Sequence, residues 1–496
     1  VKGYGMGESG EGTNTTHSQK KMAVESLRKM RDRFNIDLSD EQVENLEYIK
    51  PDPDHPAIKY MQGQRKKLGG YLPQRNKFAA PLEVPALDAF KALLGASGDR
   101  EMSTTMAFVR ILTTLTKDKK LGKNVVPIVP DEARTFGMEG MFRQLGIYSS
   151  VGQLYEPQDR DQIMYYKEDK SGQILEEGIN EAGAMSSWIA AATAYSTHGV
   201  NMVPFYIYYS MFGFQRIGDL AWLAGDMSAR GFLIGGTAGR TTLNGEGLQH
   251  EDGHSHIQAN TIPNCISYDP CYAYELAVIV QHGMKRMYAD QENIFYYITT
   301  MNENYSHPAM PVGAEEGIIR GMYKLKERGE GELRVSLLGS GTILREVEKA
   351  AGMLKEDWGV DSDVWSVTSF NELARDGQAA ERWNMLNSDK PQKSAYITDM
   401  LQDCDCPVVA ASDYMKNHAE QVRAWIPRSY KVLGTDGFGR SDTRDALRDF
   451  FEVDARYVVV AALRALADDG KLELAKVAQA VAKYELDPNK PNPISV

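Results

Sequence analysis

Short apolar runs alternate with longer amphipathic segments between about residues 100 and 310. Runs of this length and composition predict buried strands, at 125–129, 203–209, 231–235 and 294–298. The segments between them predict helices, at 182–196, 214–229 and 272–288. Strands and helices that alternate at this spacing predict a mainly parallel sheet covered by helices.

A second alternating set begins near residue 330. Its predicted strands are 334–338, 364–367, 407–411 and 430–433, and its predicted helices include 344–358 and 415–425. The charged, glycine-containing stretch 324–332 separates the two sets, and we expect it to be the boundary between two α/β domains.

The first eighty residues are polar and irregular by comparison. A basic amphipathic helix is expected over 20–34, and Ser39 with Gln42 three residues later predicts a capping box. Prolines then interrupt the chain, and 68–75 is expected to be a linker.

Length and composition limit the class of protein. A chain of 496 residues is too long for one core and suggests about three domains. The net charge of −12 argues against nucleic-acid binding, and no window approaches the length of about 20 apolar residues that spans a bilayer. Four cysteines form neither a disulfide framework nor a CxxC pair, which favours a reducing compartment. The chain begins with Val1, so we expect it to start within a longer polypeptide.

Histidines concentrate in the sequence GEGLQHEDGHSH at 245–256, which contains His250, His254 and His256. Imidazole moves protons near neutral pH and is a common metal ligand. Three interpretations are open: a metal site, a polar active-site loop beside an organic cofactor, or structural hydrogen bonding. The glycines within the run indicate a loop, which favours the second interpretation over the first.

Two further segments carry candidate chemistry. The sequence GGTAGRTT at 235–242 is similar to a P-loop, but it is one residue short and has Arg240 where lysine is required. It is more typical of a glycine-rich turn after a buried strand, where ligands bind in parallel sheets. Glu181 opens a helix rich in Ala and Ser, and its ordinary role would be to interact with the helix dipole. The functional alternative is a buried carboxylate directed at a heteroaromatic ring nitrogen.

Read together, these segments resemble thiamine-diphosphate enzymes, specifically the decarboxylating first component of the homodimeric bacterial pyruvate dehydrogenase complex. The motifs that carry the resemblance are DEARTFGME at 131–139, YYKED at 165–169, ILEEGINE at 174–181, FYIYYSMFGF at 205–214, LNGEGLQHEDGHSH at 243–256 and DGFGRSD at 436–442. The resemblance implies the tail of a diphosphate-binding domain with an active-site loop and linker at 1–80. A pyrimidine-binding middle domain would follow at 81–312, and a transketolase-like carboxy-terminal domain at 313–496.

The resemblance also assigns cofactor contacts. Glu181 matches the glutamate that hydrogen-bonds the pyrimidine nitrogen and drives the imino tautomer of thiamine diphosphate. Ile179 matches the apolar residue that props the cofactor into a bent shape, and Phe212 matches the aromatic residue that stacks on the pyrimidine.

Other matching positions imply contacts with substrate. Glu132, Tyr209 and His250 would line the same pocket, and Lys2 would lie near the anionic substrate. His17, in the loop at 11–19, matches a histidine linked to acetyl transfer onto a lipoyl group.

The chain departs from the family pattern at one point: it lacks the Gly-Asp-Gly motif that binds Mg²⁺ and diphosphate. We therefore expect no metal ligands in this segment and expect those ligands upstream. The resemblance implies a cytoplasmic homodimer that decarboxylates pyruvate and acetylates the lipoyl domain of dihydrolipoyl acetyltransferase, docked on that enzyme's core, with neither nucleic acid nor membrane as a partner. Transketolase-like ketol transfer and a non-catalytic fragment are the alternatives.

Overall fold

The computed structural model of the protein describes residues 7, 10–70, 76–130, 133–327, 329 and 331–496. The chain divides into the units Val1–Gln74 and Arg75–Val496. The first unit contains the helices α1 (Val24–Arg33), α2 (Asp40–Glu44) and α3 (Pro56–Lys67).

The capping box predicted at Ser39 is confirmed. The Gln42 N–H donates to Ser39 Oγ at 3.2 Å, and the Ser39 N–H donates to Gln42 Oε1 at 2.9 Å. Both groups would otherwise lack a partner at the helix start. The expected linker begins where α3 ends at Leu68, and its residues 71–75 lie outside the described residues.

Parallel strands form the first sheet of the second unit. In chain order the strands of this half are β1 (Val125–Val129), β2 (Ile147–Tyr148), β3 (Glu168–Asp169), β4 (Leu175–Glu176), β5 (Val203–Tyr209), β6 (Phe232–Gly236), β7 (Cys265–Tyr268) and β8 (Phe295–Thr299). Within the described residues, six of them pair in the order β4-β1-β5-β6-β8-β7, and every pairing is parallel. The strands predicted at 125–129 and 203–209 are confirmed at both ends, and β6 and β8 begin one residue later than predicted.

Helices cover both faces of this sheet. They are α4 (Lys91–Leu94), α5 (Thr104–Thr116), α6 (Phe142–Leu145), α7 (Glu181–Ala192), α8 (Ala194–His198), α9 (Gly213–Asp226), α10 (Ser255–Asn260), α11 (Ala273–Met284) and α12 (Ala314–Arg320). The prediction of a single helix at 182–196 is wrong in one respect, because the helix breaks at Thr193. The Thr193 hydroxyl donates to the Ile189 carbonyl at 2.8 Å, a local bond that competes with regular helix.

Alternate side chains of β5 enter different cores. Phe205 and Ile207 pack with α5 and α11, whereas Tyr206 and Tyr208 pack with α7 and α9. Phe205 stacks on Phe232 of the neighbouring strand with ring centroids 4.6 Å apart. Because both faces are covered, the central strands are continuously apolar rather than alternating.

A second sheet lies in the carboxy-terminal half. Its strands are β9 (Met322–Lys326), β10 (Arg334–Gly339), β11 (Asp361–Val367), β12 (Val408–Ala411) and β13 (Tyr430–Leu433), in the order β13-β12-β10-β11-β9 over the described residues. The accompanying helices are α13 (Ile343–Trp358), α14 (Phe370–Leu386), α15 (Tyr396–Leu401), α16 (Asn417–Glu420), α17 (Arg444–Phe450), α18 (Ala455–Asp468) and α19 (Leu474–Lys483).

The structure corrects two predictions in this half. The stretch expected to be a boundary at 324–332 begins inside β9, an antiparallel edge strand in which exposed Lys324 and Lys326 alternate with more buried residues. Edge strands accommodate charges of this kind. The helix expected at 415–425 consists of the short α16 and a separate 3₁₀ turn at Arg423–Trp425.

One pair of cysteines forms a single disulfide rather than a framework. Cys404 and Cys406 are joined by a disulfide between α15 and β12, since a turn with one intervening residue brings their Cα atoms within 5.2 Å. Cys265 and Cys271 are free and buried. None of the described helices combines the length and apolar character needed to cross a membrane.

A buried carboxylate connects the two halves of the second unit. Glu275, at the start of α11, accepts hydrogen bonds from the backbone N–H groups of Cys271 and Tyr272, at 2.6 and 2.9 Å. Its other oxygen accepts from the hydroxyls of Tyr323 on β9 and Ser366 on β11, each at 2.6 Å. Burial raises the pKa of Glu275, and these donors oppose that rise.

We expect Glu275→Ala to lower the free energy of unfolding by about 2–4 kcal/mol, because it leaves several buried donors without an acceptor. Tyr323→Phe removes one donor and is expected to cost about 1 kcal/mol. Urea unfolding of the natural full-length protein measures both changes. If both variants lost the same free energy of unfolding, the carboxylate of Glu275 would not be the group on which the four hydrogen bonds depend.

Candidate functional site

The carboxyl end of β5 forms the centre of the candidate site. The chain passes from Tyr209 through a 3₁₀ turn at Ser210–Phe212 directly into α9. Gly213 makes this turn possible, because a Cβ atom there would lie 2.2 Å from the Tyr208 ring. The turn brings the Tyr209 and Phe212 side chains to the edge of the sheet where ligands bind in parallel α/β folds.

Three rings meet at this edge. Tyr209 and His250 stack with centroids 4.9 Å apart and an interplanar angle of 17°. Phe212 meets Tyr209 at 5.8 Å and His250 at 5.2 Å, edge to face in both cases. The structure thus brings together three residues that the sequence assigned to one pocket, and we call Tyr209, Phe212 and His250 the aromatic cluster.

Glu181 reaches the aromatic cluster through an arginine. Its carboxylate Oε1 lies 2.5 Å from Arg216 Nη1, and the guanidinium carbon of Arg216 lies 4.1 Å from the centroid of the Phe212 ring. The Glu181 side chain is 12% exposed, so the carboxylate is accessible but largely shielded.

The start of α7 fixes the position of Glu181. The Asn180 side chain caps the helix by accepting from the Gly183 N–H at 3.0 Å, which leaves the Glu181 carboxylate available for other partners. About two turns further along, Trp188 anchors α7 to the sheet through its indole N–H, which donates to the Phe232 carbonyl at 3.1 Å. Ile179 precedes the cap, and its side chain is 82% exposed, which is unusual for an isoleucine beside a structured helix start.

His250 has a carboxylate partner within its own loop. It lies on a 3₁₀ turn at Leu248–His250, and its Nδ1 is 3.2 Å from Glu246 Oε2. A histidine held by a carboxylate on one nitrogen and by a ring on its face has a defined orientation, which is what proton transfer requires.

The other two histidines of the run have different neighbours. His254 Nε2 lies 2.7 Å from the Gln215 side chain, and buried His256 contacts Thr299 Oγ1 at 3.0 Å. Burial holds the pKa of His256 well below its ordinary value, so this ring is neutral. Within the part of the chain that the structure describes, no three His, Cys, Asp or Glu side chains form a group able to hold a metal ion. The run therefore divides between the candidate site, at His250, and internal structure, at His256.

The glycine-rich turn after β6 binds a carboxylate of the protein itself. The Thr241 N–H donates to Asp413 Oδ1 at 3.0 Å, and the Thr242 hydroxyl donates to Asp413 Oδ2 at 2.7 Å. Gly239, at φ +87°, permits this approach, since a Cβ atom there would lie 2.1 Å from Asp413 Oδ2. The anion that the P-loop-like sequence surrounds comes from the loop after β12, and burial raises its pKa to about 6.

Glu251, directly after His250, is buried beneath the site. It is 1% exposed, and among the described residues neither carboxylate oxygen has a hydrogen-bond partner. Burial raises the pKa of Glu251 to about 9, so the side chain is protonated at neutral pH.

The geometry described above does not include three residues assigned from the sequence. Lys2 and Glu132 lie outside the described residues. His17 belongs to the first unit, where it is exposed within successive hydrogen-bonded turns that include Gly10 N–H to Gly7 O at 3.2 Å and Ser18 N–H to Thr15 O at 3.1 Å.

Sequence reasoning missed Arg216. Its spacing of four residues from Phe212 places the two side chains on one face of a helix, and this spacing was available in the sequence. Its contact with Glu181, 35 residues away, depends on the packing of α7 against α9 and has no local signal.

Comparisons with known proteins agree with the fold and extend it. A family model described as the pyruvate dehydrogenase E1 component middle domain matches residues 82–308, and a transketolase-like C-terminal domain model matches 321–454. Among solved structures, a transketolase from Campylobacter jejuni superposes with a TM-score of 0.61 at 16% identity, over 93% of this chain and 61% of that chain. A transketolase from Leishmania mexicana gives 0.57 at 15% identity, over 93% and 56%. These likenesses define a transketolase-like α/β protein with two domains of this type.

Sequence similarity to curated proteins is far higher. The chain is 64% identical to the pyruvate dehydrogenase E1 component of Pseudomonas aeruginosa over 496 residues, covering 100% of this chain and 56% of that protein. It is 60% identical to the component of the same name from Escherichia coli K12, covering 99% and 56%. The chain is similar over its whole length to bacterial pyruvate dehydrogenase E1 components and spans about half the length of these relatives.

The buried carboxyl of Glu251 predicts a pH-dependent stability. The folded protein holds a proton that the unfolded chain releases between its ordinary pKa of 4.5 and the folded value of about 9. The free energy of unfolding should therefore fall as pH rises across this range. Glu251→Gln cannot ionise, so we expect it to gain about 1–3 kcal/mol over the natural protein near pH 8 and much less near pH 5.

Urea unfolding at both pH values measures this effect. Glu356→Gln, on the exposed side of α13, is the matched control and should show no such trend. A stability difference for Glu251→Gln that stays constant with pH would rule out the buried, protonated carboxyl.

Proposed function

We propose that this protein catalyses the thiamine-diphosphate-dependent oxidative decarboxylation of pyruvate and transfers the acetyl unit to the lipoyl group of dihydrolipoyl acetyltransferase. The observation that carries the proposal is the placement of the Glu181 carboxylate beside the aromatic cluster, at the sheet edge where this fold binds ligands. The similarity to pyruvate dehydrogenase E1 components supports the substrate class.

The residues at this edge suit a flat heteroaromatic ring with a polar nitrogen. Phe212 offers an aromatic face, and Glu181 offers a shielded carboxylate that can form hydrogen bonds. The guanidinium of Arg216 contacts both side chains and so lies between them. Ile179 offers an exposed apolar side chain against which a bent cofactor would rest. When bound, thiamine diphosphate supplies the carbanion that attacks the 2-oxo acid and the electron sink for the charge left by carbon dioxide.

Glu181 would hold the pyrimidine in the tautomer that starts the chemistry. A carboxylate fixed at a capped helix start is held in position by the backbone, so its hydrogen bond to a ring nitrogen would be directional. Phe212 would orient the ring by stacking. Because Phe212 follows β5 by only three residues, its backbone is already fixed and loses little conformational entropy when the ring binds.

Tyr209 and His250 would serve the substrate. His250 is oriented by Glu246 and by the Tyr209 ring, and its imidazole would bind or move a proton at the substrate carboxylate or oxygen. A positioned general acid or base of this kind contributes about 10²–10⁴-fold to rate. Lys2 and Glu132 are proposed for the same pocket on the resemblance.

The remainder of the proposal concerns the metal, the assembly, the domain limits and the transfer to the lipoyl group. Mg²⁺ and the diphosphate would be bound by the portion of the enzyme that the relatives have in addition, and the enzyme would act as a cytoplasmic homodimer on the acetyltransferase core. The domain limits 1–80, 81–312 and 313–496 belong to the same proposal. His17 would assist the transfer to the lipoyl group from the loop at 11–19.

Substitution of Glu181 tests the cofactor role in the natural full-length enzyme. We expect Glu181→Ala to reduce decarboxylation by about 10²–10⁴-fold, because no other group would hold the ring nitrogen. The assay follows carbon dioxide released from labelled pyruvate with an artificial electron acceptor. Glu177→Gln is the control, since that nearby carboxylate accepts from the hydroxyl of Ser187 on α7 at 2.5 Å.

Near-normal decarboxylation by Glu181→Ala with an unchanged melting temperature would refute the assignment. Ketol transfer between sugar phosphates without release of carbon dioxide from pyruvate would instead favour the transketolase-like alternative.

Substitution of His17 separates the two half-reactions. We expect His17→Ala to leave decarboxylation with the artificial acceptor near the natural rate and to reduce acetylation of the lipoyl domain by about 10²-fold. His55→Ala, an exposed histidine of the same unit, is the control. Equal losses in both assays would contradict this division of labour.

A further inference from the structure

The disulfide between Cys404 and Cys406 closes a ring with a single intervening residue, Asp405. A cross-link between residues this close in sequence removes little freedom from the unfolded chain, so it stabilises the fold less than a disulfide that closes a long loop. The cysteine content of the chain favours a reducing compartment, where disulfides are usually transient or redox-active. The bond is therefore better suited to reversible formation than to holding the fold.

Hydrogen bonds hold this turn independently of the sulfur–sulfur bond. Arg428 Nε donates to the Cys404 carbonyl at 3.3 Å. The Lys471 ammonium donates to the Asp405 carbonyl. On the other side of the turn, the Ser336 N–H of β10 donates to the carbonyl just before β12 at 2.9 Å. After reduction, the two sulfur atoms would therefore stay close together, and the bond could form again without a large movement of the chain.

The two sulfur atoms differ in access and in neighbours. Cys404 is half-buried, whereas Cys406 is only 3% exposed. Cys406 Sγ lies 3.5 Å from the hydroxyl oxygen of buried Ser336, which can donate a hydrogen bond to a sulfur anion. An incoming thiolate therefore reaches Cys404 more readily than Cys406. Attack there expels the sulfur that has a hydrogen-bond donor beside it.

We propose that Cys404 and Cys406 form a reversible dithiol–disulfide site that exchanges with a low-molecular-weight thiol such as glutathione. Cys404 is the sulfur that the small thiol attacks, and Cys406 is the sulfur that leaves and later returns. The reaction needs neither thiamine diphosphate nor pyruvate, so it is separate from the proposed function.

The exchange is a two-electron reaction that balances with two small thiols. A thiolate attacks Cys404 Sγ, the bond to Cys406 Sγ breaks, and Cys406 leaves as a thiolate that takes a proton from water. A second thiolate attacks the outer sulfur of the mixed disulfide, which frees Cys404 and releases the small-molecule disulfide. The protein pair is reduced and the two small thiols are oxidised. Oxidation of the pair runs through the same mixed disulfide in the opposite direction.

Glutathione buffers that range from reduced to oxidised test the proposal on the natural full-length enzyme. At each ratio the thiols are alkylated in denaturant and located by mass spectrometry. We expect Cys404 and Cys406 to change together from alkylated to protected as oxidised glutathione increases, and to return when the ratio is reversed. Buried Cys265 and Cys271 are the internal controls and should be alkylated at every ratio.

Substitutions test the separate roles of the two sulfur atoms. Cys406→Ser lacks the sulfur that would expel glutathione, so we expect a mixed disulfide to accumulate on Cys404. In Cys404→Ser, burial shields Cys406, and we expect its mixed disulfide to form about tenfold more slowly. Ser336→Ala removes the donor to the leaving sulfur and should slow reduction of the Cys404–Cys406 bond by about threefold.

Ser362→Ala is the matched control for Ser336→Ala. Ser362 lies on the neighbouring strand β11 and is 1% exposed, and its hydroxyl has no hydrogen-bond partner among the described residues. The disulfide of this variant should be reduced at the natural rate. Melting temperatures verify folding, and the glutathione titration of the natural enzyme decides the question if Ser336→Ala is unfolded.

Three results would overturn the proposal. A pair that stays oxidised in excess reduced glutathione is a fixed structural disulfide. A pair that stays reduced in excess oxidised glutathione is not an exchange site. Faster formation of the mixed disulfide at Cys406 than at Cys404 would contradict the roles given to the two sulfur atoms.

Discussion

Buried carboxylates that accept hydrogen bonds from the opposite sheet join the two halves of the second unit. Glu275 takes hydroxyl donors from β9 and β11, and Asp413 takes donors from the turn after β6. Asp269 follows β7 and accepts from Thr299 at 2.7 Å and from Ser340, beyond β10, at 2.5 Å. An unpaired carboxylate in such a position would be costly, so each one requires both sheets to be in place. The edge that carries the candidate site is thus built by the whole unit.

The candidate site is a row of side chains in contact, which begins at a carboxylate and ends at an imidazole. Glu181 meets Arg216, Arg216 meets Phe212, and Phe212 meets the stacked pair of Tyr209 and His250. Each of these side chains comes from a strand end, a helix start or the loop that follows one, where the backbone fixes direction but leaves the side chain accessible. This arrangement suits a flat polar ring better than a metal ion. The oxygen and nitrogen atoms that could bind a metal are spread along the row, and among the described residues no three candidate ligands form a group.

Sequence reasoning succeeded where the signal is local. Strands β1 and β5 are continuous apolar runs bounded by polar residues, and their limits could be read directly. Strand β4 has two residues and β9 alternates lysine with apolar side chains, so neither carries a signal distinct from a loop. The aromatic cluster followed from a family resemblance over long motifs. Arg216 and the burial of Glu251 depend on contacts between segments far apart in sequence, which periodicity and spacing do not report.

The carboxylate of Asp413 within the glycine-rich turn has a consequence for how the protein can be divided. The turn belongs to the segment matched by the middle-domain model, whereas Asp413 belongs to the segment matched by the C-terminal model. The turn leads directly into the run that contains His250, so the C-terminal segment supplies the acceptor that holds the turn before this run. A boundary that is clean in sequence therefore crosses a shared structural element. An excised middle domain would keep the contacts that orient His250 but lose the anchor of the turn before it. Recombining domains from different relatives would have to preserve the contact between Asp413 and this turn.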